Sequence, residues 1–323
     1  MTLNEYSHPD AATVMPVQVR RPSPRHFRLQ TILVPLAFLV LHWLILNLTA
    51  LVYVMVYILL GNAGSNLDLT VLLTDTELLQ QILMEQFPII TVIYAALLIP
   101  VYALYLKRHR NRDSRQLLLE KPRSSHILLA LVMIIGTLGV TSLWFSLLEG
   151  LSETVPLIGE LMDNYLELAG AFTPNVGYFW LILGISVMAP VVEELLFRGI
   201  IQGELRKAMP DWLAIIIQAV VFALFHLEPI QSSYVLLPGL LLGLAYYWSR
   251  SIWVPVIMHI SFNFIGSVLP ALFGENEALS QGLLWTEVAF ILLGIIAAVF
   301  FYKNRRREPA LTMLEYGNSM NGV

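Results

Sequence analysis

Eight apolar stretches follow one another between Thr31 and Tyr302, and charged loops separate them. About 20 apolar residues are needed to cross the hydrocarbon of a bilayer. The stretches run from about Thr31 to Gly61, Phe87 to Leu106, His126 to Leu148, Tyr178 onward, Trp212 to Leu227, Tyr234 to Trp248, Ile252 to Leu272 and Leu283 to Tyr302. The fifth and sixth are short and need tilted or buried neighbours. Only 13% of the 323 residues are charged and 57% are hydrophobic, against about 25% charged in a soluble domain. The expected fold is therefore all-α, a polytopic membrane helical bundle of about eight spans.

Loop charge orients the bundle. Arg20, Arg21, Arg25 and Arg28, the run Lys107–Arg112, then Arg206, Lys207, Arg250 and Lys303–Arg307 fall on one side. Asp68, Asp75, Glu77 and Glu85, then Glu149, Glu153, Glu160 and Asp163, then Glu275 and Glu277 fall on the other. The positive-inside rule places both termini in the cytoplasm. The polar, Pro-rich first thirty residues read as a cytoplasmic arm, since no cleavage-site pattern ends the apolar run that follows. The segment from Pro156 to about Ala171 is amphipathic and suits the outer interface, or an ordinary loop helix. The organisation is an arm at 1–30, three spans and the amphipathic segment at 31–177, a polar-bearing core at 178–273, a last span at 274–302, and a tail at 303–323, basic and then disordered.

The chain has no cysteine, which excludes thiolate nucleophiles, disulfides and Cys-ligated metal sites. Its chemistry must come from the ionisable groups placed within the spans. Such groups cost about 2.5–3.5 kcal/mol each on insertion scales and by default mark function. The fourth stretch carries Glu193, Glu194 and Arg198. Glu194 and Arg198, four apart with the acid first, share a helix face and form a favourable pair. Glu193 points about 100° away and is left without that partner, free to take or give a proton. Pro190 frees a backbone carbonyl about one turn back and can kink the span.

Two other stretches supply partners. Phe222 and His226 are four apart in the fifth, and His259 and Asn263 are four apart in the seventh. Counted from the loop around Pro210, Glu193 and His226 both lie about 24–26 Å along their helices, at about 1.5 Å per residue. His259 and Asn263 lie roughly 14–20 Å from the same face. One site at a common depth is allowed. His42, alone in the first span, reads as a satisfied packing residue, and an HxxxN pair alone could be an interhelical clamp.

EELLFR at Glu193–Arg198, Phe222–His226 and His259–Asn263 resemble, in order, the EExxxR, FxxxH and HxxxN motifs of the CAAX prenyl protease and bacteriocin-processing (CPBP, Abi) family of intramembrane endopeptidases. The resemblance covers about Tyr178 to Leu269. It implies hydrolysis of a peptide bond in a membrane cavity, with Glu193 activating water, His226 helping, and His259 and Asn263 stabilising the oxyanion. Glu194 and Arg198 then support the site, with direct action by Glu194 left open. Imidazole and amide donors aimed at a developing oxyanion are worth several kcal/mol in a dry site.

The preferred reading uses no cofactor. A zinc reading competes, with Glu193, His226 and His259 as ligands and an open position for water; HExxH is absent and Asn263 is an unusual zinc ligand. The expected partners are a peptide or membrane-anchored protein substrate and the lipid bilayer, with no nucleic acid. The expected location is a prokaryotic cell membrane. Alternatives from other classes are a secondary transporter or proton relay using Glu193 and the histidines, which inverted repeats would favour, and a non-catalytic bacteriocin-immunity or scaffold protein.

Overall fold

The computed structural model describes residues 24–61, 75–110, 115–170, 176–274 and 276–306. Parts of the arm, of the tail and of the basic 107–112 run lie outside the described residues. The described chain forms α1 (Gln30–Gly61), α2 (Thr76–Arg110), α3 (Ser124–Ser152) and α4 (Pro156–Gly170). Next come α5 (Tyr178–Ala208), α6 (Asp211–Phe225) and α7 (Pro229–Ser249). The chain closes with α8 (Trp253–Phe273) and α9 (Glu277–Lys303).

Seven of these helices are long and apolar enough to cross a membrane. The protein is a multi-pass integral membrane protein. The fifth expected span is the exception. α6 has 15 residues, about 22 Å, short of a hydrocarbon core of about 30 Å. It packs against α7. His226 closes it, Leu227 takes a left-handed backbone (φ 58), and the Glu228 carboxylate accepts from the Ile230 and Gln231 N–H groups to start α7. A leucine in that region is uncommon and costs of order 1–3 kcal/mol, a strain that clusters at functional sites.

Several helices run beyond their apolar stretches. α2 begins at Thr76, so Glu77 and Glu85 are helical rather than loop residues. The amphipathic segment is the helix α4, packed on α3 and α7. His42 is buried as expected, with Nδ1 3.2 Å from the Tyr102 hydroxyl.

At one end of the bundle, ion pairs tie the basic loops together. Asp211 binds Arg25 and Arg206, each at 2.7 Å, and Lys207 binds Glu204 at 2.7 Å. Glu120 binds both Arg250 and Arg306. Arg206 also donates to the Arg115 carbonyl, and Leu119 bridges to Ser251. Arg25 and Arg306, near the two ends of the described chain, therefore sit at the same end of the bundle.

Two apolar cores fill the interior. One joins α2, α5 and α6 around Tyr102, Leu106, Phe197 and Phe222, with α1 packed against it. The other joins α3, α7, α8 and α9 around Met133, Leu242, Met258 and Phe301. Close backbone approach locks both. A Cβ on Gly139 would run into the Glu287 carbonyl, and one on Gly184 into that of Pro88. α7 and α8 contribute to both cores.

Candidate active site

α5 is not a uniform α-helix. Ile182–Met188 and Leu195–Ile201 are π-helical, on either side of the short α-helical piece Ala189–Glu194. In the first widened stretch the Ala189 N–H reaches Gly184 O, five residues back. Pro190 has no N–H to continue that register, which frees the Ile185 carbonyl. Asn263 of α8 takes it, donating from Nδ2 at 2.9 Å. A third π-helical stretch, Phe264–Val268, starts immediately after Asn263. Single-turn widenings of this kind recur at functional sites. Here they flank both glutamates and the amide.

The two glutamates diverge as the helix geometry predicts. Glu194 is wholly buried, and its Oε1 accepts from Arg198 Nη1 at 2.8 Å. The same oxygen lies 2.8 Å from His259 Nδ1. Arg198, also wholly buried, spends a second donor on the Gly239 carbonyl of α7 at 3.0 Å. An ionised carboxylate only accepts, so Nδ1 of His259 carries the hydrogen. That bond turns Nε2 of His259 toward Glu193, whose Oε2 lies 3.8 Å away. Glu193 keeps 21% of its side chain exposed while Glu194 keeps none. Glu193 is therefore the accessible carboxylate, and Glu194 holds the imidazole.

His226 is half-buried at the end of α6, with Nδ1 2.9 Å from the Phe222 carbonyl. A carbonyl only accepts, so Nδ1 donates and Nε2 of a neutral ring is left as an acceptor. Phe222 joins the cluster. Its ring centroid lies 5.0 Å from that of His226 and 5.9 Å from that of His259. The Arg198 guanidinium sits 4.7 Å over the same ring. Gly239 leaves room for it, since a Cβ there would stand 2.8 Å from Phe222 Cδ1.

The structure thus joins Glu193, Glu194, Arg198 and His259 directly, and His226 through Phe222. Asn263 stands one turn beyond His259 and is tied to α5 rather than to the carboxylates. The alternative zinc ligands Glu193, His226 and His259 do not gather. Among the described residues, no three His, Asp or Glu side chains form a ligand cluster. The Phe222 ring packs against both histidines. Three participants lay outside the motifs. Gly239 and Gly243, four apart on α7, bring carbonyls to Arg198 and Gln202; small residues at that spacing are a readable signal for close helix packing. Tyr94 of α2, packed edge-on to His42, lies within electrostatic reach of Glu193, and no pattern in the sequence marks it.

Residues 175–265 match the family model described as Rce1-like, type II CAAX prenyl endopeptidase Rce1-like. The motif-bearing segment is thus similar to Rce1-like endopeptidases. The resemblance seen in the three motifs holds over this segment, which contains all six polar residues. Among curated proteins, the provisionally named membrane peptidase YdiL of Bacillus subtilis (strain 168) is 30% identical over 78 residues, 24% of this chain and 32% of its own. The membrane-embedded CAAX protease MroQ of Staphylococcus aureus (strain USA300) is 30% identical over 90 residues, 24% of this chain and 34% of its own. The chain spans about a third of the length of these relatives. No solved structure matches it significantly. The Rce1-like segment takes in the whole of α5, α6 and α7, and α8 as far as Ile265. α1 to α4 and α9 lie outside it.

Proposed function

We propose that the protein is an intramembrane endopeptidase that hydrolyses a peptide bond of a membrane-proximal peptide or protein, with water activated by Glu193. The observation that carries this reading is the placement of His259 between two adjacent glutamates, 2.8 Å from the buried one and 3.8 Å from the accessible one. A gap of 3.8 Å is too long for a direct hydrogen bond and suits a bridging water. The similarity of the Rce1-like segment to membrane CAAX proteases supports the same reading.

In this mechanism the Glu193 carboxylate takes a proton from water, and the new hydroxide attacks the scissile carbonyl carbon. Nε2 of His226, free as an acceptor, orients that water. His259 in its doubly protonated form donates from Nδ1 to Glu194 and from Nε2 to the oxyanion. Asn263 spends one amide hydrogen on Ile185 and offers the other to the same oxygen. Glu193 then returns its proton to the amide nitrogen as the C–N bond breaks. Arg198 pairs with Glu194, and Glu194 keeps His259 turned. No step requires a metal.

Purified protein in lipid nanodiscs, incubated with a fluorogenic peptide library with and without a chelator, tests this. Cleavage that survives chelation and disappears in Glu193→Ala supports the reading. Cleavage abolished by chelator and restored by zinc favours a metal mechanism instead. Glu193-dependent solute flux without cleavage favours a transporter.

A further inference from the structure

A polar cavity lies apart from the glutamate pair, and none of Glu193, Glu194, Arg198, His226, His259 and Asn263 lines it. Its volume is about 290 Å³, and α3, α4, α7, α8 and α9 all line it. At its inner end is Glu287 of α9, 5% exposed, whose Oε2 accepts from Ser142 of α3 at 2.9 Å. No cation pairs with this carboxylate among the described residues, and none lines the cavity. Phe145, Tyr165 and Tyr234 form one wall, their ring centroids 5.3–6.1 Å apart. The Tyr165 and Tyr234 hydroxyls meet at 3.2 Å. From Ser280 to Glu287 the lining follows α9 for seven residues, about 10 Å.

The surrounding charge has one sign. No Lys or Arg occurs between Arg123 and Arg198, or between Arg250 and Lys303. Over those stretches the end of the bundle away from Arg25 and Arg306 carries Glu149, Glu153, Glu160, Asp163, Glu167 and Glu277. The positive-inside rule explains missing cations there. It does not explain a carboxylate about ten residues deep in an apolar helix, which costs several kcal/mol without a partner. A carboxylate with aromatic walls is what an ammonium or guanidinium group requires, and a field of one sign concentrates ligands of the other.

We propose that this cavity binds a Lys or Arg side chain of the peptide substrate, with its charged head on Glu287 and its alkyl stem along Phe145, Tyr165 and Tyr234. The assignment of a peptide as the ligand rests on the endopeptidase reading. It makes the substrate a cationic peptide engaged from the acidic end of the bundle.

The test uses full-length protein in nanodiscs and matched membrane peptides that carry lysine, acetyl-lysine or norleucine at one position. Binding is measured by fluorescence anisotropy in the Glu193→Ala background, so the result does not depend on cleavage. The lysine peptide is expected to bind about tenfold more tightly than the other two. In Glu193→Ala/Glu287→Gln that ratio falls to about one, and Glu277→Gln at the rim keeps it. The acetyl-lysine arm needs no further variant, so a misfolded Glu287→Gln leaves the proposal testable. Equal binding of all three peptides overturns it, as does a lysine preference that survives Glu287→Gln. Displacement of the lysine peptide by phosphatidylethanolamine at nanodisc concentration assigns the pocket to a lipid amine and also overturns it. Discrimination in binding without cleavage by the wild-type protein sinks the endopeptidase reading and leaves the pocket standing.

Discussion

Asn263 Nδ2 lies 2.9 Å from the Ile185 carbonyl, the backbone acceptor that Pro190 leaves free. One amide thereby joins α8 to the distorted turn just ahead of the glutamates. It sets the depth of α8 against α5, and with it the approach of His259 to Glu194. Replacing Asn263 with Ala removes both this clamp and the second amide hydrogen. The expected loss in kcat is about 100- to 1,000-fold, as for an oxyanion donor. Steady-state kinetics check it, since a clamp alone would lower the unfolding temperature without so large a fall in kcat.

Glu194 and Glu193 differ in burial, so their variants differ in kind. Glu194→Ala leaves the Arg198 guanidinium buried without its carboxylate, which costs about 3–5 kcal/mol when one partner of a buried pair is removed. Glu193→Ala removes a side chain that is partly exposed and leaves that pair intact. Thermal unfolding in detergent is expected to show a large drop for the first variant and a small one for the second. Peptide cleavage is expected to disappear in both.

Phe222 packs against both imidazoles and lies beneath the Arg198 guanidinium. Phe222→Leu keeps the site apolar but loses the ring and a cation–π contact worth about 0.5–2 kcal/mol. A small displacement of positioned groups can cost up to about 100-fold in rate. The expected outcome is kcat lowered about tenfold or more with KM little changed, measured on any cleaved peptide.

Much of this was legible in the sequence, and the limits have physical causes. Apolar length and loop charge gave the bundle, because hydrocarbon thickness and the siting of cations act on composition alone. The Glu194–Arg198 pair followed from i,i+4 spacing. The straight-helix depth estimate put Glu193 at about 24–26 Å, and His259 and Asn263 at roughly 14–20 Å, from the same face, which allowed one site. It could not foresee π-helical turns, which depend on Pro190 and on a neighbour's amide. α6 was expected as a short span from about Trp212 to Leu227 and runs Asp211–Phe225, ending where the left-handed Leu227 turns the chain. The partnership of Glu194 with His259, 65 residues apart, has no local signature. Nor do Tyr94 and the Glu287 cavity, which depend on which helices pack together.

Gly184 sits where α5 meets the Pro88 carbonyl of α2. Gly184→Ala must push the two helices apart, at about 1–3 kcal/mol for overpacking. Lower detergent-solubilised stability is the expected readout, with cleavage reduced because α5 carries both glutamates.

The absence of native cysteine gives a clean background for topology mapping. Single cysteines at Pro24 and Arg305 should both react with an impermeant thiol reagent from the cytoplasmic side. A cysteine at Ser152 should react from the opposite side. Labelling of Pro24→Cys and Arg305→Cys from different sides would break the even number of passes.

The most direct test of the central claim is a single turnover of peptide cleavage in heavy-oxygen water, with both product and protein read by mass spectrometry. If Glu193 activates water, the heavy oxygen appears in the new carboxyl group of the product in the first turnover, and none enters Glu193. Ordinary oxygen in that product, with the label left on Glu193, would show attack by the carboxylate itself and contradict the account.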